Sequence, residues 1–379
     1  MRILAPSLAL LTALAALAAS PGDARACGGF FRTVTSANLA IDAQRALLVW
    51  RADTVDVHLQ LVASTDGTPF AWVLPVPPGP TLALGDRAVF DALDALTTPS
   101  VELYRDSGGG GGGGFCGASD ASKGANLAPP ETGVQHFGGG LLGNYQWDLI
   151  QSGDATAVAT WLTDHGYLVP DNFAAAAAPY VTMQFLAVRL APSADDDALD
   201  LQPLVVTMPR PGDAKLMFPL GFSRLSAPDV TPVVLYTLAD KRYRVQNAAS
   251  AELATVATEI GRRYDAGLAT DYDLAVDALT APAGGRFVVT EYAHDLGLGA
   301  GLPTALADLL DADAHVLTRL YARVPRASLD DLVITFANEA AEVDNHAYAD
   351  AAAHGGPTAL AFGLVGLLLA TGALRRRAR

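Results

Sequence analysis

Alternation of apolar and polar positions predicts that much of the chain forms β-strands. The clearest example runs from Thr54 to Ala63, where every second side chain is apolar as far as Leu61. Such a strand buries one face and leaves the other in water, so we expect His58, on the polar face, to be solvated. Further strands are predicted over residues 46–51, 70–76, 145–151, 180–190, 204–208, 215–220, 230–238, 286–292, 315–324 and 332–336.

Three segments instead have the spacing of amphipathic helices. They are residues 86–96, residues 155–165 and the alanine-rich residues 249–262. Asp164 and His165 would end the second helix, where a cation suits the helix dipole and a capping role is expected. Strands and helices together predict an α+β fold, in which a β-rich, largely antiparallel ectodomain is followed by one C-terminal transmembrane helix.

Residues 107–143 interrupt this pattern with many glycines, including an unbroken run from Gly108 to Gly114. A phosphate-binding loop needs a lysine and a hydroxyl residue at fixed offsets after spaced glycines, and that arrangement is missing here. We therefore interpret the segment as a flexible linker or loop between two β-rich parts, residues 27–106 and 144–337. The two parts form either one domain or two sub-domains joined at the glycines.

The N-terminal 26 residues have the order of a secretory signal peptide. Arg2 precedes an apolar run, and the segment ends on the small-x-small sequence Ala24-Arg25-Ala26. Cleavage after Ala26 would make Cys27 the first mature residue. Acylation of Cys27 is the alternative, although Ala24 stands where a lipoprotein signal usually has leucine.

The C-terminal end predicts a membrane anchor. Residues 357–374 carry no charge and, as a helix, would extend roughly 27 Å, close to the ~30 Å hydrocarbon core. An acidic, alanine-rich stalk precedes them at residues 338–356, and the basic tail, residues 375–379, is expected in the cytoplasm. The chain would then cross the cell membrane once, with its ectodomain in the periplasm or outside the cell.

The same C-terminal arrangement resembles the sorting signals of bacterial surface proteins, including the myxobacterial kind. That kind normally carries a cysteine just before the helix, where this chain has His354-Gly355-Gly356. Retention of the helix and its removal by a sorting protease, with display at the cell surface, are therefore both open.

Charge limits the class of partner. The chain has a formal net charge of -15, and the ectodomain alone is at about -20, because six of the 25 basic residues lie in the two ends. Such a surface repels phosphate backbones, so we predict no nucleic-acid partner. The predicted partners are the membrane, through the C-terminal anchor, and a protein or glycan whose identity is open, with divalent cations or basic partners compatible with the charge.

Cys27 and Cys116 are the two cysteines of the chain. In an oxidising compartment an even pair predicts a disulfide, which would contribute about 4 to 5 kcal/mol on the chain-entropy model. A catalytic thiol at Cys27 would need a histidine base, and none follows locally.

Candidate chemistry is sparse. Glu291, His294 and Asp295 form an E-x-x-H-D string that suggests a metal or acid/base site, but on a strand end residues 291 and 294 would point to different faces. Asp195, Asp196 and Asp197 could ligate calcium, although a calcium loop spaces its carboxylates at alternate positions. No familiar catalytic or cofactor fingerprint is present, so we predict no cofactor and no metal site, and the four tryptophans are expected as core anchors.

Several short segments carry a family resemblance. They are Ala26-Cys27-Gly28-Gly29-Phe30-Phe31, Phe70-Ala71-Trp72-Val73-Leu74-Pro75-Val76-Pro77, Phe90-Asp91-Ala92-Leu93-Asp94, Pro179-Tyr180-Val181, Phe185-Leu186-Ala187-Val188-Arg189-Leu190, Gln202-Pro203-Leu204 and Phe218-Pro219-Leu220. These segments resemble the bacterial family called domain of unknown function 2330 over most of residues 27–336. The family often has a second cysteine after the paired phenylalanines, where this chain has Arg32. The resemblance implies an exported, envelope-associated protein and supplies no activity or site.

Three functional hypotheses follow. The leading one is a membrane-anchored binding or structural module of the cell envelope, because the anchor signals are clear and catalytic motifs are missing. The second is a secreted hydrolase or peptidase-like enzyme that uses carboxylates such as Glu291 or Asp295, which would have to share a concave pocket with a histidine. The third is a calcium-dependent adhesin, which rests on the acidic charge.

Overall fold

A computed structural model describes residues 29–33, 39–40, 44–60, 64–65, 70–104, 133–190, 202–338 and 341–350. The strands of this part are β1 (Gly29–Thr33), β2 (Leu39–Ala40), β3 (Gln44–Trp50), β4 (Thr54–Gln60), β5 (Ser64–Thr65), β6 (Phe70–Val76), β7 (Thr81–Leu84), β8 (Ser100–Tyr104), β9 (Gln135–Leu142), β10 (Tyr145–Gln151), β11 (Tyr167–Leu168), β12 (Gln184–Leu190), β13 (Leu204–Pro209), β14 (Leu216–Phe218), β15 (Val230–Ala239), β16 (Tyr243–Val245), β17 (Ala249–Glu252), β18 (Phe287–Asp295), β19 (Val316–Pro325), β20 (Leu332–Phe336) and β21 (His346–Asp350). The helices are α1 (Arg87–Thr97), α2 (Ala155–Asp164), α3 (Phe173–Ala177), α4 (Leu253–Asp265), α5 (Tyr272–Thr280) and α6 (Thr304–Ala307), with 3-10 turns at Ala178–Tyr180, Leu220–Leu225 and Arg326–Ser328.

Two large sheets form the centre of the molecule. The first has eight strands in the order β17-β18-β19-β15-β3-β4-β13-β7, and the second has six in the order β11-β1-β6-β12-β10-β9. Neighbouring strands are antiparallel except for two parallel pairs in the larger sheet, β15 with β3 and β17 with β18. The prediction of a β-rich, largely antiparallel fold is therefore confirmed.

The two sheets pack face to face. Trp72 and Leu186 of the six-stranded sheet lie in one apolar core with Leu48 and Leu235 of the eight-stranded sheet. A three-stranded sheet in the order β14-β20-β16 adds Phe218, Val245 and Ile334 to the same core. Alternation along each strand sends the other apolar side chains to the opposite faces.

Helices cover those opposite faces. Helices α1, α4 and α5 pack on the eight-stranded sheet around Leu47 and Tyr236, and α2 and α3 pack on the six-stranded sheet around Ala71 and Phe185. The described part is thus a four-layer arrangement of helices, sheet, sheet and helices. The central strands of both sheets are buried on both faces, which explains the continuous apolar runs in strands such as β15.

Strands from both sides of the glycine segment share both sheets. In the smaller sheet β6 lies between β1 and β12, and in the larger one β4 lies between β3 and β13. The parts 27–106 and 144–337 are therefore interleaved and do not form two separate sub-domains.

The predicted elements agree with the structure in their centres and differ at several ends. Each predicted strand overlaps an observed one, but residues 249–252 belong to β17, so the helix predicted over 249–262 begins at Leu253. Helix α5 was not predicted. Residues 135–142, within the predicted linker, form β9, and residues 346–350, within the predicted stalk, form β21, which pairs in parallel with β8.

His58 corrects the expectation of a solvated side chain, because it is only 6% exposed. Its cross-strand neighbours Leu47 and Val205 are themselves buried on the same face. The alternation of polar residues in β4 therefore does not indicate a solvent-exposed face, since the helix layer covers this side of the sheet. Burial lowers the pKa of His58 to about 4.

The two predicted ends lie outside the described residues, as do Cys27, Cys116 and the triplet Asp195–Asp197. Signal cleavage, the disulfide and the anchor over residues 357–374 stay predictions. Within the described residues, no helix is long and apolar enough to cross a bilayer.

Candidate functional site

A cleft of about 360 Å³ lies at one end of the eight-stranded sheet, where β18 ends and β19 begins. Its lining is Asp240, Lys241, Arg242, Ala293, His294, Asp295, Val316, Ala337, Asn338, Ala341 and Glu342. Ionisable side chains therefore dominate its polar lining, and both signs of charge are present.

Strand pairing brings His294 and two acidic residues together. The backbone of Ala293 pairs with that of Val343 through two hydrogen bonds of 2.8 and 2.9 Å, which places residues 342 and 344 beside the end of β18. His294 Nε2 lies 2.9 Å from Asp344 Oδ1, and its Nδ1 lies 3.3 Å from Glu342 Oε2. The two ring nitrogens thus point at two different carboxylates.

Asp295 is held by His315, the residue before β19, and by the turn that follows β18. Its Oδ1 lies 2.9 Å from Nδ1 of His315 and accepts a 2.8 Å hydrogen bond from the backbone amide of Gly297. The His315 ring and then the Gly297 amide stabilise the carboxylate, so the pKa of Asp295 lies below its usual value. Asp295 is therefore ionised and open to the cleft.

The basic residues of the cleft follow the long strand β15. Lys241 Nζ lies 2.8 Å from Asp240 Oδ2 and 5.5 Å from the ring centre of Phe336. Arg242 donates 2.9 and 3.1 Å hydrogen bonds to Glu252 Oε1 and to the carbonyl of Ala341. Both cations are therefore engaged by groups of the chain itself.

Two shielded polar atoms of the same residues have no hydrogen-bond partner. They are Asp240 Oδ1, an acceptor, and Arg242 Nε, a donor. Leaving such groups unpaired costs roughly 1 to 3 kcal/mol each.

Glu291 belongs to a different region, the layer between the eight-stranded sheet and the helices. It is 1% exposed, and Arg319 Nε donates a 2.6 Å hydrogen bond to its Oε2 while Tyr272 donates one of 2.6 Å to its Oε1. A bulge between Thr290 and Tyr292 accompanies this inward position. Glu291 therefore does not line the cleft.

The network continues from Arg319 to helix α1. Arg319 Nη1 lies 3.0 Å from Tyr236 OH, and that hydroxyl donates a 2.7 Å hydrogen bond to Asp94. Asp94 also accepts a 2.6 Å bond from Arg45. Burial raises the pKa of Glu291, and the adjacent Arg319 opposes that rise. Through Tyr272 and Asp94, the hydrogen bonds of this pair connect the sheet to α5 and α1.

This geometry separates the residues of the E-x-x-H-D string. His294 and Asp295, which are adjacent at the end of β18, both line the cleft. Glu291 instead faces the helix layer. The hydrolase hypothesis named carboxylates such as Glu291 or Asp295, two of which would share a concave pocket with a histidine. Of these two residues only Asp295 lies in the cleft, where it is accompanied by His294 and Glu342. Among the residues described, no group of three or more histidine, cysteine or acidic side chains is placed to hold a metal ion.

Sequence reasoning missed the basic half of the cleft and the buried network. The run Asp240-Lys241-Arg242, directly after the apolar strand β15, was a usable signal for a strand end that carries charge. Glu342 and Asp344 had no such signal, because they reach His294 only through tertiary pairing of a segment 50 residues away.

Comparison with known proteins gives a family. Residues 21–335 match the family described as uncharacterized protein conserved in bacteria, domain of unknown function 2330. Neither the curated proteins nor the solved structures contain a match to this chain. Since the matched residues cover most of the sequence, the chain belongs to this bacterial family, domain of unknown function 2330.

Proposed function

We propose that this protein is an exported, membrane-anchored binding module of the bacterial cell envelope, and that it binds a small cationic ligand in the cleft at the end of β18. The sequence supports export and anchoring through the signal-like N-terminus and the apolar residues 357–374. The exposed carboxylates of the cleft support the choice of ligand.

The observation that carries this proposal is the asymmetry between the charges of the cleft. Lys241 and Arg242 are paired with Asp240 and Glu252. The carboxylates of Asp295 and Glu342, which line the cleft, are more open, at 56% and 61% exposed, and Asp344, which contacts the lining residue His294, is 79% exposed. These carboxylates lie beside His294 and His315, and they are the most exposed charged groups of this region.

Ammonium and guanidinium groups are the natural partners of such carboxylates. The net charge of -15 attracts cations over a longer range and raises their local concentration. A volume of about 360 Å³ lies within the range of small-molecule sites, roughly 300 to 1,000 Å³. A polyamine or a basic side chain of a peptide meets these conditions.

Calorimetric titration of the full chain in detergent with spermidine tests the ligand. We expect saturable binding that weakens as salt is added, and a loss of about tenfold or more in affinity for the double variant Asp295→Asn/Glu342→Gln. The control is Asp91→Asn/Asp171→Asn, which removes the same charge from exposed positions outside the cleft. Absence of binding, or an equal loss in the control, would reject the cleft as a cation site.

Intact mass of the protein from membranes of its native host tests export and anchoring. We expect the mass of residues 27–379 less two hydrogens, because signal cleavage and the Cys27–Cys116 bridge are both predicted. A product ending near residue 355 would contradict a retained anchor, and an unprocessed N-terminus would contradict export. Added acyl mass would identify Cys27 as lipidated instead of bridged.

A further inference from the structure

Two histidines contact the exposed carboxylates in and beside the cleft. His294 Nε2 lies 2.9 Å from Asp344 Oδ1, and the Nδ1 atom of the same ring lies 3.3 Å from Glu342 Oε2. The second histidine, His315, has its Nδ1 atom 2.9 Å from Asp295 Oδ1. Each of the three carboxylates that support the proposed cation site is therefore in contact with a histidine ring.

The position of His294 fits the protonated form of its ring. A neutral imidazole carries one N–H, so one of its two nitrogens would present a lone pair to a carboxylate oxygen. The imidazolium carries two N–H groups and can serve Asp344 and Glu342 at once. The side chains of His294 and His315 are 22% and 27% exposed, so both rings can exchange protons with solvent.

The histidines are the groups of this region that suit a response near neutral pH. Histidine ordinarily changes its charge between pH 5 and 8, whereas the ordinary pKa values of carboxylates, lysine, arginine and tyrosine lie outside that range. The His315 ring and the Gly297 amide hold the pKa of Asp295 below its usual value, and burial raises the pKa of Tyr292, whose ring centre lies 4.7 Å from that of His294. The charged and titratable groups around the two rings are Tyr292 and Asp295 of β18, Asp240, Lys241 and Arg242 after β15, Glu252 before α4, and Glu342 and Asp344 of the segment 341–350.

We propose that protonation of His294 and His315 blocks the cleft to its cationic ligand, so that the protein binds the ligand at neutral pH and releases it in acid. This inference rests on the proposed function, because it concerns the regulation of the same site. With neutral rings, the negative charge of the three carboxylates is left to the ligand. In acid, each imidazolium is a cation of the chain itself, already placed against the carboxylates that the ligand needs.

Proton binding and ligand binding are linked at such a site. A bound cation next to the two rings disfavours the imidazolium form, so ligand binding must release protons. By reciprocity, a fall in pH must weaken ligand binding. Each pKa unit by which the ligand and a histidine are coupled corresponds to about tenfold in affinity.

Calorimetric titration of the full chain in detergent with spermidine at pH 7.5 and pH 5.5 tests the proposal. We expect wild-type affinity to be at least about tenfold weaker at pH 5.5, and that of His294→Gln/His315→Gln to change by less than about threefold. Lower pH can only add protons to spermidine, so the charge of the ligand acts against the expected fall. The control His136→Gln/His346→Gln removes two exposed histidines outside the cleft, and His136 also lies 2.9 Å from a carboxylate, that of Asp148. This control should retain the wild-type pH dependence.

The outcomes separate this proposal from the cation site itself. Equal affinity of the wild type at both pH values would overturn regulation by the histidines and leave the cleft as a cation site. An equal fall in the His294→Gln/His315→Gln variant would have the same meaning. Absence of binding at pH 7.5 would instead reject the cation site, and this proposal with it.

Proton release provides a second measurement, which uses the wild type alone and does not depend on how a variant folds. Titrations with spermidine at pH 6.5 in two buffers of different ionisation enthalpy should give different apparent binding enthalpies, because the buffer takes up the protons that leave the histidines. Identical enthalpies in the two buffers would overturn the coupling between ligand and histidines.

Discussion

Glu291 and Arg319 form the most deeply buried ion pair among the described residues, with the two side chains 1% and 10% exposed. Tyr272, Tyr236 and Asp94 complete the hydrogen bonds of this pair. A buried pair of this kind offers little net stability over an apolar substitute, but removal of one partner leaves a charge without compensation.

We therefore predict that Glu291→Ala lowers the free energy of unfolding by about 3 to 5 kcal/mol, as measured by urea denaturation. The double variant Glu291→Leu/Arg319→Met should be less destabilised than the single one, because no charge is stranded. Arg224→Ala, which removes an ion pair whose side chains are 47% and 45% exposed, should cost no more than about 1 kcal/mol. If the destabilisation of the double variant equalled the sum of the two single ones, the explanation by an uncompensated buried charge would be contradicted.

His58 provides a prediction on pH. Its pKa is lowered from 6.5 to about 4 by burial, so below pH 6.5 the unfolded chain binds a proton that the folded chain does not. The contribution of neutral His58 to the free energy of unfolding is fully present above pH 6.5. It is lost as the pH falls towards 4, and the total loss is up to about 3 kcal/mol.

Urea denaturation at several pH values checks this dependence. His58→Gln should reduce the fall in stability between pH 6.5 and 4, whereas His346→Gln, at an exposed histidine, should retain it because His58 is still present. If the free energy of unfolding fell equally with pH in the wild type and in both variants, His58 would not be the group that causes the fall.

At the scale of elements, the segment 341–350 connects parts that are distant in sequence. Its Val343 pairs with Ala293 at the cleft, and β21 pairs with β8 and packs on α4. Residues expected as a stalk are therefore part of the body over this stretch. They supply Glu342 to the lining of the cleft and Asp344 as a contact of His294.

Contact between α4 and β21 depends on a glycine. Gly261 is buried in α4, and a Cβ there would overlap the carbonyl oxygen of Asp350 and lie 3.1 Å from its carbonyl carbon. Since both atoms are backbone, the strand must move to make room. Alanine, although a better helix former, should be unfavourable at this position.

We predict that Gly261→Ala displaces β21 and costs about 1 to 3 kcal/mol. Hydrogen exchange should accelerate at residues 346–350, with Thr258→Ala, at an exposed position of the same helix, as the control. Unchanged exchange in β21 would mean that the helix and strand can separate at no cost.

At the scale of the whole molecule, both large sheets take strands from before and after the glycine segment. Strands β3 and β15 pair over six residues although they lie almost 200 positions apart, and β6 pairs with β12 over seven. Long-range pairing of this kind means that neither part buries its apolar faces alone.

We predict that residues 27–106 and 133–350, expressed separately, stay unfolded, and that coexpression yields a complex with cooperative unfolding. Circular dichroism and copurification through a tag on one fragment measure this. The control is a pair of fragments divided within α5, which interrupts a helix. A cooperatively folded 133–350 fragment would contradict interleaving as the basis of stability.

Local pattern alone determined much of this protein. Apolar alternation located the centres of β4, β6, β10 and β18, and apolar spacing located α1 and α2, because these signals depend on neighbours within one element. The capping residues Asp86 and Asp154 could be inferred in the same way, since an N-cap bonds the next turn of its own helix. His294 and Asp295 could also be nominated from their place at a strand end.

Tertiary structure alone decided which faces are dry and which charges meet. His58 and Glu291 are buried because helices cover the second face of the eight-stranded sheet. The alternating polar residues of its strands do not indicate that these helices are there. The cleft depends on Ala293 pairing with Val343, and the interleaved sheets depend on pairings across more than 100 residues. Sequence periodicity specifies an element's own faces, whereas the partner of each face is chosen by the packing of the whole chain.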